Sequence, residues 1–159
     1  MDYFFLTIKH KWYVFLAGRK TGVPLWRLIK HDWSKFTLAE YPHYQRQFFG
    51  DKNCPGFPAA WLHHQNLNDH HWEYWVPRSG HTQDGRKRFN PIEMPWVCVR
   101  EMVADWMAAG KAYQGEWPDK NRFQWLIDNQ YDMNLHPITK SKIVYILKDL
   151  GFNLEFIEL

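Results

Sequence analysis

The feature that most constrains this chain is the set of ionisable side chains that fall in or beside apolar helical stretches. These are His10, the adjacent His31-Asp32, the group His63, His64, His70 and His71, and Asp105. Imidazoles and carboxylates are costly to bury unless paired or coordinated, so a fold that turns them inward must bring them together. They are also the donors that divalent first-row metals take from proteins. Their order along the chain predicts a site assembled from several helices.

A chain of 159 residues with 45% hydrophobic and 18% aromatic content is long enough for one core and short for two. The expected architecture is a single all-α domain over 1–159, a helical bundle with the site between its helices. Ten Trp, eight Tyr and eleven Phe mainly fill that core, but such rings also line pockets and stack on bases. A net charge of +3 falls short of a basic stripe, so a nucleic-acid surface is not expected, whereas a small anionic substrate suits it. Cys54 and Cys98 lie far apart, which argues against a disulfide framework and a zinc knuckle and for a reducing compartment. The first ten residues read neither as a secretory signal nor as a membrane span, so a cytoplasmic location without membrane contact is expected. The sequence does not specify an oligomeric state.

Leu6, His10, Tyr13, Val14 and Ala17 fall on one helical stripe that turns His10 inward, with Gly18 placed to end the helix. Pro24 opens a second helix carrying Leu25, Leu28 and Ile29, which delivers His31 and Asp32 near its end. Thr37-Leu38-Ala39-Glu40 has the form of a capping box. Pro58 opens a helix through Trp61, His64 and Asn68 toward Trp75. His64 and His71 share a face of such a helix, whereas His70 joins them only if the helix stops near Asn68, so the spacing does not choose between His70 and His71. Residues 77–93 read as a mobile, polar loop insertion containing Asp84-Gly85 and Arg86-Lys87-Arg88. Pro95 starts a helix with Val99, Met102, Trp106 and Ala109 on its apolar side and Asp105 beside it. Within 118–159, helices are expected over 118–129 and 137–150, followed by a tail that alternates like a strand over 152–156.

The order His10, His31-Asp32, His64 with His70 or His71, then Asp105 resembles the HD-domain superfamily of metal-dependent phosphohydrolases, over roughly residues 10 to 106. His31-Asp32-Trp33-Ser34-Lys35 sharpens the resemblance, because many members have a lysine three positions after the aspartate that contacts substrate phosphate. His64-x-x-x-Asn68-x-His70-His71-x-Glu73 and Glu101-Met102-x-x-Asp105-Trp106 are also similar to a family of small helical proteins of bacteria and phages without a settled activity.

The resemblance implies a first metal site of His10, His31, Asp32 and Asp105, and a second of Asp32, His64 and one or both of His70 and His71. In the two-metal members of the superfamily the histidines of the second site stand farther apart in sequence, which leaves one ion as the alternative to two. Asp32 and Lys35 are the expected catalytic residues, Lys35, Arg27 and Trp72 the expected substrate contacts, and Asn68, Glu73 and Glu101 the groups expected to orient the ligands. The cofactor would be one or two divalent ions, with Mn, Mg, Fe, Co, Ni and Zn not distinguished. The implied activity is hydrolysis of a nucleotide or related phosphate ester by metal-activated water, with Trp33, Trp61, Trp72 and Trp75 available to stack a base and the 77–93 loop to act as a lid. The alternatives are an HD-type diiron oxygenase and a noncatalytic nucleotide-binding protein.

Overall fold

The computed structural model describes residues 2–81, 87–155 and 157–158. Among them the chain forms α1 (Tyr3–Thr21), α2 (Leu25–Lys30), α3 (Tyr41–Phe49), α4 (Phe57–Leu67), α5 (Trp96–Ala109), α6 (Gln124–Asn129) and α7 (Pro137–Asp149). A small antiparallel ribbon, β1 (Arg78–His81) with β2 (Lys87–Phe89), is the sole sheet among the described residues. The architecture is therefore all-α, as the periodicity predicts. No described helix is long and apolar enough to cross a membrane.

α5 is the axis of the fold, with Val99, Met102, Val103 and Ala104 essentially sealed from solvent on more than one face. A helix apolar around most of its circumference must be covered on several sides, and α1, α6 and α7 supply the cover. The main core joins Met102 and Val103 to Leu126 of α6 and to Ile143 and Leu147 of α7. A second cluster sets Val14 of α1 and Leu28 of α2 against Ala108. A third packs Tyr3 of α1, Tyr44 of α3 and Ala60 of α4.

Several boundaries differ from those the sequence suggests. α1 runs past Gly18 to Thr21 and is closed by Gly22 in the left-handed conformation (φ 80°). Gly18 instead provides close approach, since a Cβ there would lie 2.3 Å from Leu28 Cδ2. No capping box forms, because the Thr37 hydroxyl donates to Ser34 O and the Glu40 side chain turns inward. α4 stops at Leu67 instead of continuing toward Trp75, and Asn68 leaves it in extended geometry. Helix α6 begins only at Gln124, so 118–123 is not helical. The tail forms no strand among its described residues, since Phe152 packs on Phe123 with ring centroids 5.4 Å apart; Phe156 lies outside them. The segment expected as a loop over 77–93 carries the β1–β2 ribbon, with an irregularity between Arg78 and His81; Asp84, Gly85 and Arg86 lie outside the described residues.

The core makes one direct prediction. Leu147, fully buried between α7 and α5, should on replacement by alanine cost about 2–5 kcal/mol, measured by urea denaturation.

Candidate metal centre

Five segments converge on one buried point. His10 comes from the inner face of α1, His31 and Asp32 from the exit of α2, His64 from α4, His70 and His71 from the turn after α4, and Asp105 from α5. The exit of α2 does much of the positioning, because Asp32 takes the left-handed conformation (φ 54°, ψ 24°). That geometry is uncommon outside glycine, although aspartate tolerates it better than most residues. Lys11 ties the same corner to α1 by donating to the carbonyl of His31.

The Asp32 carboxylate, 1% exposed, sits between two groups of donors. Its Oδ1 lies 3.3 Å from His64 Nε2 and 3.4 Å from His70 Nε2. Its Oδ2 lies 3.5 Å from His31 Nε2, 3.7 Å from His10 Nε2 and 2.5 Å from the Lys35 ammonium. Asp105 Oδ1 completes the second face, 2.8 Å from His10 Nε2 and 3.5 Å from His31 Nε2. Two overlapping sets thus share Asp32. One is His10, His31, Asp32 and Asp105, the other Asp32, His64, His70 and His71, with ligand atoms within 4.8 Å of one another in each.

Whether these residues fit a metal is decided by their unsatisfied atoms. The Nε2 atoms of His31, His64, His70 and His71 and Oδ1 of Asp32 are buried and lack hydrogen-bond partners. Buried polar atoms are nearly always paired, so the convergence of five unpaired ones marks a place where a cation would satisfy them together. The opposite ring nitrogens carry the complementary signal. His31 Nδ1 donates to Glu101 Oε1 and His64 Nδ1 to Glu40 Oε2, each at 2.9 Å. A carboxylate only accepts, so both rings hold a proton at Nδ1, the arrangement that orients metal-ligating histidines and leaves Nε2 as the atom that a metal would take once any proton there is displaced. The buried His/Asp cluster can therefore hold a metal ion.

The electrostatics agree. Against the cost of burial, His31, Lys35 and His64 hold the Asp32 carboxyl well below the usual range, and His10 and His31 do the same for Asp105. Burial alone would lower His31, but Asp32, Asp105 and Glu101 outweigh it and raise its pKa to about 9. The nest thus favours positive charge at this position. Burial dominates for His10 and His71, whose pKa values fall, keeping those rings neutral.

The other expected site residues divide by position. Lys35 and Trp72 line a cavity of about 510 Å³ that opens onto His10, His70, His71 and Asp105. Glu73 lines it too, with Oε2 unpaired and 3.8 Å from His71 Nδ1, and burial raises its pKa. Asn68 sits behind His64, donating to His64 O (2.8 Å) and Ser34 Oγ (2.9 Å). Glu101 lies behind His31, accepting from its Nδ1. Arg27 does not reach the cavity; it is clamped by Glu101 (2.5 Å) and Asp69, lines a separate cleft, and so acts on the orientation of Glu101. Of the tryptophans considered for stacking, Trp61 and Trp72 line the cavity, Trp33 is 66% exposed, and Trp75 packs on the main core.

Glu40 is the main residue that sequence reasoning misplaces. Fully buried, it accepts from His64 and, at 2.8 Å, from His63. A signal was available, since His63-His64 and Glu40 are both ionisable groups beside apolar helices. Ser34, 3.1 Å from His64 Nδ1, and the cavity tyrosines Tyr3, Tyr44 and Tyr113 were also not singled out.

The model of a family of unknown function (DUF5662) covers residues 1–149. No curated protein and no solved structure matches the chain.

Two outcomes are expected. Replacing Glu40 by alanine frees the His64 ring and should weaken metal binding about 10–100-fold in competition titrations with a chelating indicator. Below about pH 9 a cation must also displace a proton from His31. Apparent affinity should therefore rise toward that pH, by about tenfold per pH unit for each proton displaced, and collapse in acid, as the same titration across pH would read.

Proposed function

We propose that this chain, which belongs to the family of unknown function DUF5662, is a metal-dependent phosphohydrolase of the HD-domain kind. Its substrate would be a nucleotide or related small phosphate ester. The observation that carries this reading is the Asp32 carboxylate, shared by two sets of donors that each suit one cation. Two divalent cations held in this way supply a water acidic enough to attack at neutral pH and neutralise charge on phosphoryl oxygens.

The protein's own part is positioning and exclusion of water. Asp32 offers one oxygen to each donor set, and the Glu101–His31 and Glu40–His64 pairs keep the imidazole Nε2 atoms directed at it. Lys35 stands at the junction of the carboxylate and the cavity, with its ammonium on Asp32 Oδ2. Against burial, Asp32 and other anionic groups raise its pKa well above the ordinary lysine value, so it stays cationic and suited to offset phosphate charge. The far walls are aromatic, with Trp61, Trp72, Trp106 and Trp125 around a volume suited to a small ligand. Such walls favour a flat leaving group and lower the local dielectric, which strengthens each charge contact inside.

The test is phosphate release from nucleoside monophosphates and p-nitrophenyl phosphate across a panel of divalent metals. The wild type should turn over in a metal-dependent way. Asp32→Ala should reduce the rate about a thousandfold or more, and Lys35→Gln about 10–100-fold. A metal-loaded wild type that releases no phosphate from any ester, or that consumes oxygen through bound iron, would contradict the proposal.

A further inference from the structure

We infer that the hydroxyls of Tyr3 and Tyr44, together with the ammonium of Lys35, form an anion-binding subsite that holds the terminal oxyanion of the ligand. The subsite stands on its own geometry and relies on the phosphohydrolase reading only for the identity of that oxyanion as a phosphoryl group.

Tyr3 opens α1 and Tyr44 lies within α3. Their rings stack with centroids 5.3 Å apart and planes 23° from parallel, and both side chains line the same cavity as the metal-binding cluster. Each residue is only 3% exposed, and neither hydroxyl makes a hydrogen bond of good geometry, although the Thr7 hydroxyl stands beside that of Tyr3. The nearby Thr7 hydroxyl donates to the carbonyl of Tyr3 at 2.8 Å. Packing does not require these hydroxyls. Phe48 and Phe57 contact the same rings and line the same wall without one. A buried, unpaired hydroxyl is destabilising, so two of them on stacked rings that line a cavity point to a ligand that pairs with them.

The chemistry of that ligand follows from the third member. Lys35 Nζ lies 6.0 Å from the centroid of the Tyr44 ring, and the charges of Lys35 and Asp32 act on both phenols. One of its three N–H groups goes to Asp32 Oδ2, and among the described residues the other two have no partner. Two phenolic O–H groups and two ammonium N–H groups make four donors on three residues that line one cavity. A group with several acceptor oxygens and negative charge satisfies them together, which describes an oxyanion.

The experiment is calorimetric titration of the purified protein with inorganic phosphate and, separately, with acetate, for the wild type, Tyr3→Phe and Tyr44→Phe. Each substitution keeps the ring and removes only the hydroxyl. Phosphate affinity should fall about tenfold in each variant, while the thermal midpoint stays equal or rises because an unpaired buried group has been removed. A purely structural role for the hydroxyls would lower the midpoint and leave affinity unchanged. Phosphate binding unaffected by either substitution, or no binding of either probe by the wild type, overturns the subsite. Metal-dependent hydrolysis that persists in that case leaves the proposed function standing. Tyrosine-dependent binding of acetate without phosphate supports the subsite and contradicts the phosphohydrolase reading.

Discussion

Everything at this centre depends on burying the carboxylate of Asp32. An ionised carboxylate withdrawn from water is tolerable only if neighbouring positive charge and hydrogen bonds replace its hydration. Here the replacement comes from Lys35 on one oxygen and from imidazoles facing both. The backbone at Asp32 is also held in a left-handed turn, a second local cost that the surrounding packing must offset. Two costs concentrated on one residue are best understood as serving a site, because either could be avoided by a different residue in a purely structural corner.

The fold is arranged around that residue in shells. The imidazoles are oriented from behind by Glu101 and Glu40, and Glu101 is itself held by Arg27, which Asp69 holds in turn. The chain reversal at Asn68 belongs to this arrangement. Ending α4 there lets the next residues double back, so that His70 and His71 join His64 instead of continuing along a helix. The apolar clusters of α5 with α1 and α7 give the shells a rigid backing.

Much of this was legible in the sequence, and the exceptions have identifiable causes. His10 could be placed because it belongs to a 3.6-residue stripe, Asp105 because it stands beside one, and His31-Asp32 because Pro24 fixes where α2 starts. The choice between His70 and His71 could not be read, since it turned on where α4 stops. The structure brings both rings to Asp32, a result no helical wheel contains. Glu40 was hidden by a local pattern, Thr37 to Glu40, that fits a capping box equally well; tertiary pairing with His64 overrides it. Arg27 was misplaced because a cation near phosphate chemistry suggests substrate, while the structure commits it to two carboxylates. The hydroxyls of Tyr3 and Tyr44 were invisible because, within amphipathic helices, tyrosine reads as core.

The central claim is that one carboxylate is shared by two cation sites. Anomalous diffraction from crystals of the metal-loaded protein tests it most directly. The account predicts two anomalous peaks per chain, one on either side of the Asp32 carboxylate, the first among His10, His31 and Asp105 and the second among His64, His70 and His71. A fully loaded crystal with no peak in this cluster, with a single peak, or with two peaks that Asp32 does not join would contradict it.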